Sequence, residues 1–171
     1  MSILELIRER YSVRDYLDRQ IEPEKLAAVL EAGRLAPTAK NQQPWRAYVL
    51  CSEEALAKVR GLTRCAFNAP AVIMLTVDET ASWHNAFEPE VDAGDVDAAI
   101  VCTHMVLEAA AQGLGTCYVG YFPPTETKKA FALPESERPV LLLPIGYPAE
   151  GSAPSDRHAK RKDLRELVKF I

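Results

Sequence analysis

No apolar run in this chain of 171 residues approaches the ~20 that a membrane span needs. The opening "MSILELIRERYS" is a short amphipathic stretch carrying Glu5 and Glu9, unlike a secretory leader, so a cytoplasmic protein is expected. The four cysteines, Cys51, Cys65, Cys102 and Cys117, include no C-x-x-C pair and have mostly apolar neighbours. That excludes an evident zinc or redox motif and predicts free buried thiols. Asp92, Asp95 and Asp97 lack calcium-loop spacing, and no H-x-x-x-H or Cys/His set occurs, so no metal site is expected. His84 and His158 stand alone, without a serine or cysteine in a recognisable elbow, and His104 has the setting of a core histidine, so no nucleophilic triad is predicted. There is no G-x-G-x-x-G, and a dinucleotide fold is disfavoured.

Positive charge is missing from one long stretch. Between Asp78 and Glu126 there is no lysine or arginine, while Asp78, Glu79, Glu88, Glu90, Asp92, Asp95 and Asp97 accumulate. The net charge of -4 argues against a nucleic-acid partner, yet basic residues collect at both ends. Arg8, Arg10, Arg14 and Arg19 lie at the first end; Arg157, Lys160, Arg161, Lys162, Arg165 and Lys169 lie at the second.

With nearly half its residues apolar, the chain can bury a core without staples, and its length fits one domain, residues 1–171, with 148–171 as linker and basic C-terminal arm. Ser2 and Glu5 form a capping-box pattern that starts a first helix ending near Arg10. Pro23 opens a second helix, with Leu26, Val29 and Leu30 at helical spacing. "WRAYVLC" reads as a strand, closed by Ser52 as the cap of the helix "EEALAKVRGL". "AVIMLTV", 71–77, predicts a central strand buried on both faces. Alanines and aliphatics cover nearly the whole circumference of "DVDAAIVCTHMVLEAAAQGLG", so that helix needs a central position or a subunit interface. Gly113 ends it; "TCYVGYF" reads as a strand, Thr125 as the cap of a short helix, and "RPVLLLPIGYP" as a last strand. Leu164, Leu167, Val168 and Phe170 in the tail need an apolar surface to lie on.

Three stretches carry candidate chemistry. In "RERYSVRDY" an extended backbone would point Arg10, Ser12 and Arg14 to one side, a set suited to phosphate: guanidinium forks bind its oxygens in pairs and a hydroxyl adds another bond. Taken alone, solvated surface arginine is the commoner outcome. In "APTAKNQQPW" turn residues offer main-chain donors, and Asn41, Gln42 and Gln43 can pair with amide edges; a plain helix-to-strand connection plugged by Trp45 accounts for it equally well. In "GLGTCYVGY" the glycines permit close backbone approach to a flat ligand, although Gly113 fits better as a helix stop.

In this order, together with "PIGYP" and the basic tail, these stretches resemble the FMN-dependent nitroreductase family across essentially the whole chain. The resemblance implies an α+β fold, with a mixed, largely antiparallel sheet flanked by helices. It also implies an intertwined homodimer with FMN at the subunit interface and a C-terminal extension crossing to the partner. Carried over residue by residue, it puts Arg10 and Ser12, with Tyr11 between them, at the FMN phosphate and ribityl end, and Arg14 near the pyrimidine edge. Arg161 takes the tail's phosphate position. Pro37, Thr38 and Ala39, with Asn41 close behind, approach the flavin from the other subunit; Gly120 and Tyr121 face the ring near its reactive nitrogen. The implied activity is two-electron transfer from NADH or NADPH to a small electrophile, a nitroaromatic or quinone, in ping-pong fashion, with the flavin and not a side chain as the catalytic group. Ene reduction, reductive dehalogenation, a non-catalytic FMN module, and a flavin-free domain binding an acidic partner through its tail are the alternatives. The chain is shorter than many members between the central strand and the long helix, so the pocket is expected to be open, with Trp83, His84 and Phe87 as lining or as plain loop. The acidic loop would repel the extra phosphate of NADPH, a hint towards NADH.

Overall fold

The computed structural model describes residues 2–171. Ser2 caps α1 (Ile3–Glu9) through the reciprocal bonds predicted with Glu5. Pro23 occupies the first turn of α2 (Pro23–Arg34). β1 (Trp45–Leu50) leads to Ser52, whose side chain accepts the Ala55 N–H and caps α3 (Glu53–Leu62). β2 (Ala71–Asp78), α4 (Gly94–Ala111), β3 (Gly115–Thr116), α5 (Pro124–Ala130), β4 (Glu137–Gly146) and a one-turn α6 (Leu164–Leu167) follow.

The four strands are ordered β1-β2-β4-β3, and every neighbouring pair is antiparallel. Among the described residues a single parallel bridge, Ser12 to Thr116, adds the N-terminal segment to the β3 side. β2 is central, and both its faces are covered because helices lie on each side. Ile73 and Leu75 join Leu141, Leu143 and Ile145 against Val101, Met105 and Ala109 of α4. Val72 and Met74 join Leu142 against Leu56 and Val59 of α3. Two apolar layers explain why this strand is a continuous hydrophobic run instead of an alternating one. α2 packs closely on α4 at Gly33, where an added Cβ would collide with the Met105 side chain.

Several expectations need correction. The segment 116–122 does not form a full strand: β3 stops at Thr116, and a lone bridge pairs Val119 with Leu142. Pro144 is the reason. Its carbonyl accepts the Cys117 N–H at 3.3 Å, but a proline has no N–H to return. Thr125 does not cap α5; Pro123 holds that position without a side-chain bond. Cys51 is exposed and Cys65 half-buried, so only Cys102 and Cys117 are buried thiols. α4 keeps one face open within the chain, with Val96 60 % exposed, and in the tail Phe170 is 99 % exposed. Gly113, at φ +75, ends α4 as expected. Among the described residues no helix is long and apolar enough to cross a membrane.

Candidate functional site

The segment after α1 is tied to the body by main-chain bonds and by two buried side chains. Val13 N–H donates to the Thr116 carbonyl at 2.9 Å, Leu17 N–H to Tyr147 at 2.9 Å, and Ala149 N–H to Asp15 at 3.0 Å. Val13 and Tyr16 pack with Ala69, and the buried Tyr16 hydroxyl lies 2.9 Å from the Val13 carbonyl oxygen and 3.2 Å from that of Pro144. With Val13 turned inward, its neighbours face the other way, as alternation along extended backbone requires.

Arg10 and Ser12 border a cavity of about 370 Å³ together with Val106, Leu107, Thr116 and Tyr118. Ser12 also borders, with Arg14, a second recess lined by Glu150 and Ser152. Arg14 Nη1 donates to the Ser12 carbonyl at 3.2 Å. Among the described residues neither Arg10 nor Arg14 forms an ion pair, so both guanidiniums keep their charge available. The buried Cys117 feels both charges. Burial pushes its thiol up, and Arg14, the Ser12 hydroxyl and Arg10 each pull it back down.

The two ends of the chain meet here as far as residue 158. Tyr11 donates its hydroxyl to the Ser152 carbonyl at 3.1 Å, its ring stands edge-on to His158, and His158 Nε2 lies 3.1 Å from the Arg8 carbonyl oxygen. Arg161 does not join the cavity by any described bond; its guanidinium donates to the carbonyls of Lys160 at 3.0 Å and Arg157 at 3.4 Å.

The loop Pro37–Asn41 sits elsewhere. Ala39 N–H donates to Asp97 Oδ1 at 2.9 Å, in the first turn of α4, whereas Arg10 and Ser12 share their cavity with Val106. Those helix positions are nine residues apart, about 14 Å along the axis at ~1.5 Å per residue. One chain therefore does not bring the loop to the arginines. Gly120 and Tyr121 are exposed beyond the Val119 bridge. The Tyr121 carbonyl accepts the Thr63 hydroxyl at 2.6 Å, and the Arg64 guanidinium stands 5.8 Å over its ring. From Thr116 to Gly120 an extended backbone covers about 13 Å at ~3.3 Å per residue, long enough to edge a flat ring system.

Between β2 and α4, Trp83 and His84 belong to a small closed loop: Ala93 N–H donates to Trp83 and Asn85 N–H to Val91, both at 2.9 Å. Phe87 projects from it, 94 % exposed. Reading the sequence did not single out Thr103, Thr116 or Tyr118 as lining, nor Asp97 as the anchor of the loop. Period-two spacing after Gly115 was the available signal for Thr116 and Tyr118. Nothing local marked Asp97, whose partner lies 58 residues away.

A model of the Nitroreductase family matches residues 7–67 and 60–147. A provisionally named NADH dehydrogenase/NAD(P)H nitroreductase of Archaeoglobus fulgidus is 30% identical over 154 residues, covering 86% of each chain. The crystal structure of a nitroreductase family protein from Clostridium difficile shares 36% identity with a TM-score of 0.93, over 99% of this chain and 98% of the other. A provisionally named nitroreductase of Exiguobacterium sibiricum, solved in complex with FMN, shares the fold at 23% identity and a TM-score of 0.84, over 100% and 98% of the two chains. The match spans the arginine segment, the Pro37–Asn41 loop and the strand beneath the cavity, and this chain belongs to the nitroreductase family.

Proposed function

We propose that the chain is an FMN-dependent NAD(P)H oxidoreductase of the nitroreductase type. In this reading Arg10, Ser12 and Arg161 hold the phosphate, with Tyr11 steadying the segment, and Arg14 stands at the pyrimidine edge of the flavin. The observation that carries it is two guanidiniums that form no ion pair among the described residues and flank Ser12, Arg10 beside the cavity lined by Thr116 and Tyr118 and Arg14 beside the recess that shares Ser12. A phosphate monoester carries close to two negative charges, and charge-assisted bonds to it are about twice as strong as neutral ones. The donor set therefore fits the group. When bound there, FMN would supply the two-electron chemistry for a ping-pong exchange between NADH or NADPH and a small electrophile such as a nitroaromatic or quinone.

The site is completed by a homodimer. Pro37, Thr38, Ala39 and Asn41 would reach the flavin from the partner, since in their own chain they lie at the far end of α4. Gly120 and Tyr121 would run along the ring. The arm 148–171 extends from a single nitroreductase-like domain and crosses to the partner, covering Leu164, Leu167 and Phe170 and bringing Arg161 to the phosphate. The short closed loop after β2 leaves the substrate face open.

Flavin fluorescence released from heat-denatured protein tests the cofactor, and anaerobic bleaching by NADH or NADPH tests the activity. Arg10→Ala and Arg161→Ala should each lose FMN. Colourless protein that takes up no added FMN would rule the reading out, and yellow protein that neither nicotinamide bleaches would mark a flavin-binding module without turnover.

A further inference from the structure

Asp97 is 2 % exposed, and its two carboxylate oxygens have different fates. Oδ1 accepts the Ala39 N–H at 2.9 Å; Oδ2 is buried and, among the described residues, has no hydrogen-bond partner. The N-terminal end of an 18-residue helix favours a negative charge there, but it does not supply the missing donor. A buried acceptor without a donor is costly enough to need a reason.

The loop held by Asp97 supplies one. Lys40, Asn41 and Gln43 have φ of 48, 57 and 51, the left-handed region that non-glycine residues enter at a cost. Such backbone persists where its surroundings fix it. Asn41 N–H to the Thr38 carbonyl, Gln42 N–H to that of Ala39, and Gln43 N–H to Thr38 Oγ1 are all internal to the loop. The Asp97 bond, part-buried, ties the loop to α4.

We infer that Asp97 is a positioning residue for the cofactor-facing loop. One oxygen fixes Ala39, and the other is the acceptor for an N–H or O–H that arrives when loop, cofactor and second subunit come together. The inference rests on the proposed placement of Pro37–Asn41 against FMN.

The test compares the full-length wild type with Asp97→Asn, Asp97→Ala and Ala39→Pro. Asparagine keeps an acceptor for Ala39 but presents a donor where Oδ2 was; alanine removes both. Proline deletes the N–H from the loop side without touching α4, and Thr38, at φ -132 and ψ 160, already has the extended backbone a following proline requires. Readouts are melting temperature, amide exchange at Ala39, and FMN affinity by fluorescence titration well below the lowest melting point. Ala39 protection should survive in Asp97→Asn and vanish in Asp97→Ala, and FMN affinity should fall at least tenfold in all three variants. Wild-type FMN affinity in any variant, including a loss confined to melting temperature, overturns the inference, as does unchanged Ala39 exchange in Asp97→Ala. Failure of the cofactor reading shows separately, as wild-type protein that takes up no FMN.

Discussion

A single methyl group at Gly115 should separate the scaffold of the cavity from the cavity itself. Gly115 pairs with Gly146 in β3, and a Cβ built there would lie 2.5 Å from Val13 Cγ2, 2.8 Å from Val13 Cβ and 3.0 Å from Val13 Cγ1. All three belong to a short branched side chain that is 2 % exposed, so it cannot swing away as a long one would. The clash must move the Val13 backbone, which lies between Ser12 and Arg14 and is bonded to Thr116. Overpacking of this kind costs roughly 1–3 kcal/mol. At about 2–4 °C per kcal/mol for a chain of this size, Gly115→Ala should melt about 2–12 °C lower.

The displacement also moves the guanidiniums, so FMN affinity should fall by more than the loss of stability alone accounts for. Differential scanning fluorimetry and a flavin titration well below the melting point measure the two effects. Gly61→Ala is the matched control: it lies near the end of α3 and a Cβ there meets nothing within 4 Å. It should gain ~0.5–1 kcal/mol and leave the affinity unchanged. Gly115→Ala protein that melts at or above the wild type and binds FMN equally well would refute the argument that Val13 positions Ser12 and Arg14.

Tyr16→Phe removes the hydroxyl that serves the Val13 and Pro144 carbonyls, and urea denaturation should show a loss of about 1–3 kcal/mol. Burial pushes the Cys102 thiol up to about 12, and burial followed by the Glu137 hydrogen bond pushes the Tyr48 phenol up to about 12. Both groups hold their protons more tightly folded than unfolded. Their contribution is intact below the ordinary thiol value of 9.0, declines above it, and is lost through about 12, so stability measured against pH should fall on the alkaline side from about 9. Ala99→Arg places a charge in the apolar face of α4 lined by Val96, Ile100 and His104; light scattering should report a monomer, and a retained dimer would show that this face is not the interface. Glu88, Glu90 and Asp92 are exposed in the loop after β2, so steady-state kinetics should give a lower KM for NADH than for NADPH, and the reverse order would remove any steering by that loop.

What the sequence made legible was written in local spacing. The cap at Ser2, Pro23 in the first turn of α2, and the unbroken run of β2 each depend on neighbours a few positions away. The shared outward direction of Ser12 and Arg14 was readable for the same reason: with Val13 buried, the residues on either side turn away from the core, Ser12 bordering the cavity and Arg14 the second recess. The strand at 116–122 was misjudged because its outcome depends on Pro144, a residue distant in sequence that withholds one hydrogen bond. Asp97 was read only as part of an acidic stretch, since its burial follows from how the loop folds over the start of α4. Thr125 has the chemistry of a cap, but the turn starts earlier, and the buried Thr127 returns its hydroxyl to the Pro123 carbonyl at 2.7 Å.

The geometry of α4 joins these observations. Its first turn holds the loop through Asp97, its C-terminal half lines the arginine cavity through Val106 and Leu107, and Thr103 borders both that cavity and the open apolar face. A body covering the apolar face would therefore reach the edge of the cavity at Thr103. A second copy of this chain would meet both needs: antiparallel packing of two such helices would bring the first turn of one towards the C-terminal half of the other. The loop of each protomer would then approach the other's arginines across the separation that a single chain leaves open. In the proposed homodimer, burial of the face and completion of the site would be one event, so a charge at Ala99 should remove flavin as well as dimer.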